Sequence, residues 1–288
     1  MLRIVRVLAP NPGPFTLDGT NTWIVGEGPT MVIDPGPDDT SHLDAVVAEA
    51  RDVAAVLITH DHPDHAQGAA ALAGRVGAPV RAFRAAEGWR AIADGEELDV
   101  GGARLRAVHT PGHAPDHVAF VSDEALFTGD AVLGRGTSVI DPPEGDLAAY
   151  LRSLDRMLRL NARVIYPGHG PVVFDAAGKL REYIAHRAMR EEQVVGALAR
   201  GPARPADLVG EIYADVPAEL HPVAERQVLA HLLKLEKEGR AVRVGIGKAE
   251  RFAVPDVRGC DRCGRPVPPG RRLCTRCALD ALQETPGR

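Results

Sequence analysis

The feature that most constrains this chain is a seven-residue segment, Thr59-His60-Asp61-His62-Pro63-Asp64-His65. It follows an apolar run at residues 53–58 and precedes an Ala- and Gly-rich stretch at 66–73, so it lies between a predicted strand and a predicted helix. In extended backbone, residues two apart point the same way, which lets His60 and His62 grip one metal ion from a strand end. Asp64 and His65 then fall in the first turn of the helix and point elsewhere, within reach of a second ion. Imidazole nitrogen and carboxylate oxygen are ligands that zinc accepts, and the same set also takes Fe or Mn.

A catalytic metal needs about three protein ligands and an open position for water. Three later residues stand in matching surroundings. His113 follows Thr110-Pro111-Gly112, Asp130 follows Phe127-Thr128-Gly129, and His169 follows Tyr166-Pro167-Gly168. Each sits just past a predicted strand beside a Gly or Pro turn, where loops converge on a site.

The rest of the chain fits an enzyme of more than one domain. Its 288 residues suit two domains, or one with appendages. Residues 1 to about 130 alternate short apolar runs, at 22–25, 30–34, 53–59, 103–108, 117–121 and 125–128, with helical patterns. Thr40 or Ser41 is the expected cap of one helix, and Asp146 of another with Leu147, Leu151, Leu154 and Leu158 on one face. This reads as an α/β core. Predicted helices at 179–199, 205–213 and 219–238, then a hairpin at 241–254, follow the order of a winged helix-turn-helix. The expected boundaries are 1–185, 186–257 and 258–288.

The net charge of -5 excludes a uniformly basic nucleic-acid binder. From residue 258 seven Arg stand against three acids, a net of +4, which leaves -9 on the first 257 residues. That tail also holds all four cysteines, as Cys260-x-x-Cys263 and Cys274-x-x-Cys277 separated by ten residues. The pattern predicts a closed four-thiolate structural zinc rather than a disulfide scaffold. No apolar run approaches the roughly 20 residues of a membrane span, and the first residues do not read as a signal peptide, so a cytoplasmic address and no membrane partner are expected.

Taken together, residues 59–65, 110–113, 129–130 and 167–169 resemble the metallo-β-lactamase superfamily. The resemblance covers roughly residues 1–185. Asn11-Pro12-Gly13-Pro14, Gly19-Thr20-Asn21-Thr22, Val32-Ile33-Asp34-Pro35-Gly36 and Gly129-Asp130-Ala131-Val132-Leu133-Gly134 are similar to the β-lactamase-like protein 2 group, as is a winged helix after the core. The resemblance implies an αββα sandwich with a binuclear site at one edge. Carried over, the roles give His60, His62 and His113 to one metal and Asp64, His65 and His169 to the other, with Asp130 bridging. Asp34 matches an early strand-end Asp that orients ligands. His117 is expected to contact substrate or orient a ligand, Thr137 and Ser138 to line the substrate mouth, and His109 to support a ligand from behind or to be structural.

Such a centre implies hydrolysis of an ester-type or phosphodiester bond by a metal-bridging hydroxide, since a metal can lower the pKa of water from 15.7 to about 7. Asp64 is expected to hold or relay the proton. Two dications against two carboxylates and a hydroxide leave a net charge of about +1, which suits an anionic or carbonyl substrate. The resemblance disfavours β-lactam hydrolysis, because lactamases place Cys or Ser where this chain has Asp130. It implies an endoribonuclease acting on single-stranded RNA. A glyoxalase II-like acyl thioester hydrolase is the alternative, and a non-catalytic nucleic-acid-binding protein is the reading from a different class.

Overall fold

The computed structural model describes residues 2–122, 124–255, 262–263 and 276–277. The predicted tail zinc falls largely outside them, since Cys260 and Cys274 are not among the described residues. The chain divides into two compact units, 1–189 and 190–288.

The first unit contains two sheets. The first runs in the order β1 (Ile4–Leu8), β2 (Asn21–Val25), β3 (Pro29–Ile33), β4 (Asp52–Leu57), β5 (Val80–Ala82), β6 (Arg90–Ala91). Helices α1 (Thr40–Ala50), α2 (Pro63–Ala66) and α3 (Ala69–Val76) connect its parallel part, β3 to β5. The second sheet comprises β7 (Glu97–Val100), β8 (Ala103–His109), β9 (Val118–Val121), β10 (Ala125–Gly129) and β11 (Val164–Pro167), in the spatial order β11-β10-β9-β8-β7. Helices α4 (Leu147–Leu158) and α5 (Ala176–Leu198) flank β11 in the chain.

Strand periodicity builds the layers. Trp23, Val25, Met31, Ile33, Ala55 and Leu57 point to one side and join Leu105, Ala107, Phe120 and Phe127 of the second sheet in a single core. Their alternates Ile24, Val32, Val56 and Ile58 pack with Leu43 and Val46 of α1 and Leu72 of α3 in another. On the second sheet's side, the Tyr150 hydroxyl of α4 donates to Ala131 O at 2.6 Å, and the Tyr183 hydroxyl of α5 accepts from Leu133 N at 2.9 Å. Helix, sheet, sheet and helix form the expected αββα sandwich.

Two local expectations shift. The α1 cap is Asp39, whose carboxylate accepts from His42 N at 2.8 Å, because the Ser41 hydroxyl itself donates to Asp39 at 2.6 Å. Asp146 does cap α4, but the buried stripe is Leu147, Tyr150, Leu154 and Met157, with Leu151 and Leu158 only half-buried. Tyr150 takes the inner position because its ring is buried while its hydroxyl still finds an acceptor.

Strand direction positions the site. β3 and β4 are parallel, and β10 is parallel to β11. Antiparallel steps from β8 to β9 and from β9 to β10 leave β8 parallel to β10. The C-terminal ends of β8, β10 and β11 thus share one end of their sheet.

In the second unit, α6 (Pro205–Ile212) and α7 (His221–Lys237) pack with the C-terminal part of α5 through Val194, Leu198, Leu208, Ile212, Val228, Leu232 and Leu235. The wing is β12 (Val242–Val244) paired with β13 (Arg251–Ala253). The predicted helix at 219–238 is a 3-10 turn, Ala218–Leu220, followed by α7, with Pro222 in the first turn of α7, where its missing N–H costs nothing. Unit 2 begins within α5, as does the expected boundary at 185.

Glu191 centres an ion cluster in this unit, 2.6 Å from Lys234 Nζ and paired with Arg240. His231, Lys234 and Arg240 hold its carboxyl down from 4.5 to about 2. A carboxyl lowered on folding stabilises the folded form above its unfolded pKa and loses that contribution as pH falls through the folded one. Glu191→Gln is therefore expected to lower stability at pH 7, with the gap from wild type closing as pH falls from 4.5 towards 2. Urea midpoints of both proteins across that range measure it. A gap independent of pH would contradict the assignment.

Among the described residues, no helix is long and apolar enough to cross a membrane.

Candidate metal centre

Four strand ends and α2 deliver seven side chains to one place. His60 leaves β4 three residues past a buried Leu57, and His62 caps α2, with Pro63 in its first turn. Asp64 and His65 lie in that turn. Each of three groups has its ligand atoms within 4.8 Å of one another: His60, His62, His113; Asp64, His65, His169; and His60, His65, Asp130. The structure thus brings together all seven residues singled out from the sequence.

Ring orientation follows from what holds the far nitrogen of each imidazole. Nδ1 of His65 lies 2.8 Å from Asp34 Oδ2, that of His113 lies 2.8 Å from Val139 O, and that of His169 lies 3.2 Å from Gly19 O. His60 Nδ1 lies 3.0 Å from Thr59 Oγ1. Their Nε2 atoms all turn inward. His62 is reversed: its Nδ1 faces His60 Nε2 at 3.0 Å and His113 Nε2 at 3.1 Å.

Asp34 governs this frame. Its Oδ1 accepts from Thr59 N at 2.8 Å and its Oδ2 accepts from Thr59 Oγ1 at 2.7 Å, besides contacting His65. It does so at a φ of +52°, a left-handed conformation that Asp tolerates better than most residues. Gly129 has a φ of +45°, and a Cβ there would lie 2.5 Å from Thr59 Oγ1 and 2.9 Å from His117 Nε2, so only glycine lets the Asp130 turn approach.

The electrostatics call for a cation. Asp130 Oδ1 is buried with no hydrogen-bond partner, 3.3 Å from His65 Nε2 and 3.4 Å from His169 Nε2. Burial would raise the Asp130 carboxyl, yet His65 and His169 hold it well below the usual range. Burial would lower His65 and His169, but Asp130 outweighs it, joined by Asp34 at His65, so His65 is held well above its ordinary value and His169 is pushed up to about 9. Burial, then His65 and His113, keep His60 well below and thus neutral. Inward nitrogens on five rings beside two carboxylates form a donor set that divalent cations satisfy. The residues fit a divalent metal site.

Other expectations fare differently. His117 is fully buried; its ring packs 5.2 Å from His60 and its Nδ1 lies 2.8 Å from Thr110 Oγ1. Ser138 is also buried and stands behind His113, 3.5 Å from Nδ1, while its carbonyl accepts from Arg187. Thr137 beside it is half-buried. His109 stacks flat on Phe83 at 3.8 Å, a structural role. The roles of Thr59 and the two backbone carbonyls were not foreseen, since a hydroxyl or a peptide oxygen carries no distinctive spacing.

This fold and cluster define a class, and comparison with known proteins agrees. A family model described as the metallo-beta-lactamase superfamily matches residues 15–91 and 82–169, and one described as the beta-lactamase associated winged helix domain matches residues 205–249. The chain belongs to the metallo-β-lactamase superfamily and is a metal-dependent hydrolase. Beta-lactamase-like protein 2 homolog of Drosophila melanogaster is 35% identical over 277 residues, 87% of this chain and 93% of that protein. Atrochrysone carboxyl ACP thioesterase of Aspergillus chevalieri is 39% identical over 271 residues, 88% and 87% of the two chains. Among solved structures, a metallo-beta-lactamase family protein from Thermus thermophilus superposes with a TM-score of 0.73 at 27% identity, covering 87% of this chain and 98% of that one.

Proposed function

We propose that this protein is a binuclear zinc hydrolase of acyl thioesters. His60, His62 and His113 would hold one ion, Asp64, His65 and His169 the other, and Asp130 would lie between them. The tail cysteines Cys260, Cys263, Cys274 and Cys277 would hold a separate structural zinc. When bound, two such ions bring water to reactivity at neutral pH and polarise the scissile carbonyl.

The protein's own groups decide which bond suits the site. Asp64 is the proton holder: its side chain is 29% exposed against 14% for Asp130, so it is the carboxylate that solvent and substrate reach. Its carboxyl lies low: burial raises it, but a hydrogen bond from His169 outweighs that. A further acid beside the cluster is Glu144, whose carboxylate lies 3.5 Å from His62 Nε2. The Tyr150 hydroxyl is committed to Ala131 O and burial pushes it up to about 12. A thiolate, with a parent pKa near 8.5, departs without a proton, whereas an alkoxide does not. The low Asp64 carboxyl and the committed Tyr150 hydroxyl carry the thioester reading, since both favour a leaving group that needs no proton, and the relative named an ACP thioesterase supports it.

A second reading, cleavage of single-stranded RNA, rests on the similarity to β-lactamase-like protein 2 and on the winged helix with its basic tail. Carboxylates beside several cations of the winged helix lower the positive charge it offers a phosphate backbone. Arg200 pairs with Glu211, Arg204 with Asp207, Lys234 with Glu191 and Glu238, and Arg243 with Glu236 and Glu250.

A parallel screen of zinc-loaded protein on an S-acyl glutathione, a single-stranded RNA and an activated phosphodiester separates the two. Thioester turnover is expected to exceed that of the other two. RNA cleavage with no thioester turnover would overturn the first reading in favour of the second.

A further inference from the structure

His62 is the odd ligand in the frame. The other four imidazoles have their far nitrogens on Thr59, Asp34, Val139 O and Gly19 O. His62 turns Nδ1 inward, so a neutral His62 that offers the Nδ1 lone pair carries its hydrogen on Nε2. Nε2 lies 3.5 Å from Glu144 Oε1, and Glu144 has no other ion-pair partner among the described residues.

The backbone that presents Glu144 is fixed on both sides. Gly145 N donates to Asp141 O at 2.7 Å, and a Cβ on Gly145 would lie 2.5 Å from Asp141 N. Asp146 N donates to Gly112 O at 2.9 Å, and the Asp146 carboxylate accepts from Ala149 N to cap α4. Gly112 precedes His113, a second ligand of the same group. The loop that carries Glu144 is therefore tied to the turn that carries His113, and its carboxylate meets His62 from the solvent side, with half its side chain exposed.

We propose that Glu144 is the positioning residue of His62: its carboxylate accepts the Nε2 hydrogen, fixes the tautomer and ring angle, and so strengthens the hold on the ion at His60, His62 and His113. This rests on the reading of His62 as a ligand given above. An acceptor on the far nitrogen raises ligand basicity, and its loss typically costs about 10–100-fold in metal affinity when the partner is buried. Water screens this exposed pair, so the expected loss is about 3–10-fold.

The test is Zn2+ affinity on the full chain, measured by competition with a chromophoric chelator, for wild type, Glu144→Gln and Glu144→Ala. One class of ion is expected to weaken by about 3–10-fold in Glu144→Ala and by less in Glu144→Gln, whose amide oxygen still accepts the hydrogen. The remaining ions should stay within about twofold, and metal-free thermal stability should not change, because Glu144 contributes nothing to the core. The visible spectrum of the Co2+-loaded protein should shift with the same variants. Equal affinity in all three proteins, or weakening of every ion together with lower metal-free stability, would overturn the proposal. A wild type that holds no tight ion would overturn it together with the binuclear reading, whereas unchanged variants of a two-ion wild type would overturn this proposal alone.

Discussion

Asp130→Ala is expected to lower kcat/KM by at least about 10³-fold while leaving the fold intact. A loss of that size is about 4 kcal/mol of transition-state stabilisation, within what a bridging ligand of two metals contributes. Asp130 faces residues assigned to both proposed ions, with Oδ1 3.3 Å from His65 Nε2 and 3.4 Å from His169 Nε2, and Oδ2 3.9 Å from His113 Nε2. Its removal breaks the link between the two groups. The cost in stability is small for a stated reason. His65 keeps Asp34 as a partner, and His169, held up to about 9 chiefly by Asp130, can shed its proton once the carboxylate is gone. Circular dichroism and thermal melts of the metal-free variant check the fold, and steady-state kinetics check the activity. Retention of more than about a tenth of wild-type activity would contradict the bridging role.

Gly112→Ala is expected to be the most destabilising single-methyl change in the site, by about 3–4 kcal/mol. Gly112 has a φ of +139°, and an added Cβ would lie 2.3 Å from Tyr150 Cα and 2.4 Å from Tyr150 N. Those are backbone atoms of α4, so no rotamer relieves the overlap. Relief requires α4 to move off the turn, which breaks the Asp146 N to Gly112 O bond and shifts the adjacent His113. For a chain of this size the melting temperature should fall by roughly 6–16 °C. Gly74→Ala is the control: a Cβ there meets nothing within 4 Å, and the site lies inside α3, where alanine is the better helix former. Equal stability of the two variants would show that the α4 contact is not close.

The ligand set was legible because its chemistry restricts residue type. Seven His and Asp, four just past strand ends and three at the start of α2, are improbable as mere surface residues, and the structure gathers all seven. The sandwich was legible because β2, β3 and β4 alternate between two apolar cores. What escaped was decided by tertiary contacts. β5, β6 and β7 span three, two and four residues, too few for a period to emerge. The α4 stripe moved onto Tyr150 and Met157 because a buried tyrosine with an acceptor competes with leucine for the inner face. The carbonyls of Gly19 and Val139 hold imidazoles through backbone atoms, and the Thr59 hydroxyl donates to Asp34 across a long sequence distance, which no motif records. Ser138 and His117, singled out by their proximity in sequence to Asp130 and His113, are both buried.

The binuclear centre is tested most directly by a crystal structure of the zinc-loaded protein with anomalous scattering recorded at the zinc edge. Two peaks are expected in the cluster, one among His60, His62 and His113 and the other among Asp64, His65 and His169, with Asp130 between them. A single peak, or peaks only away from these seven residues, would contradict the account.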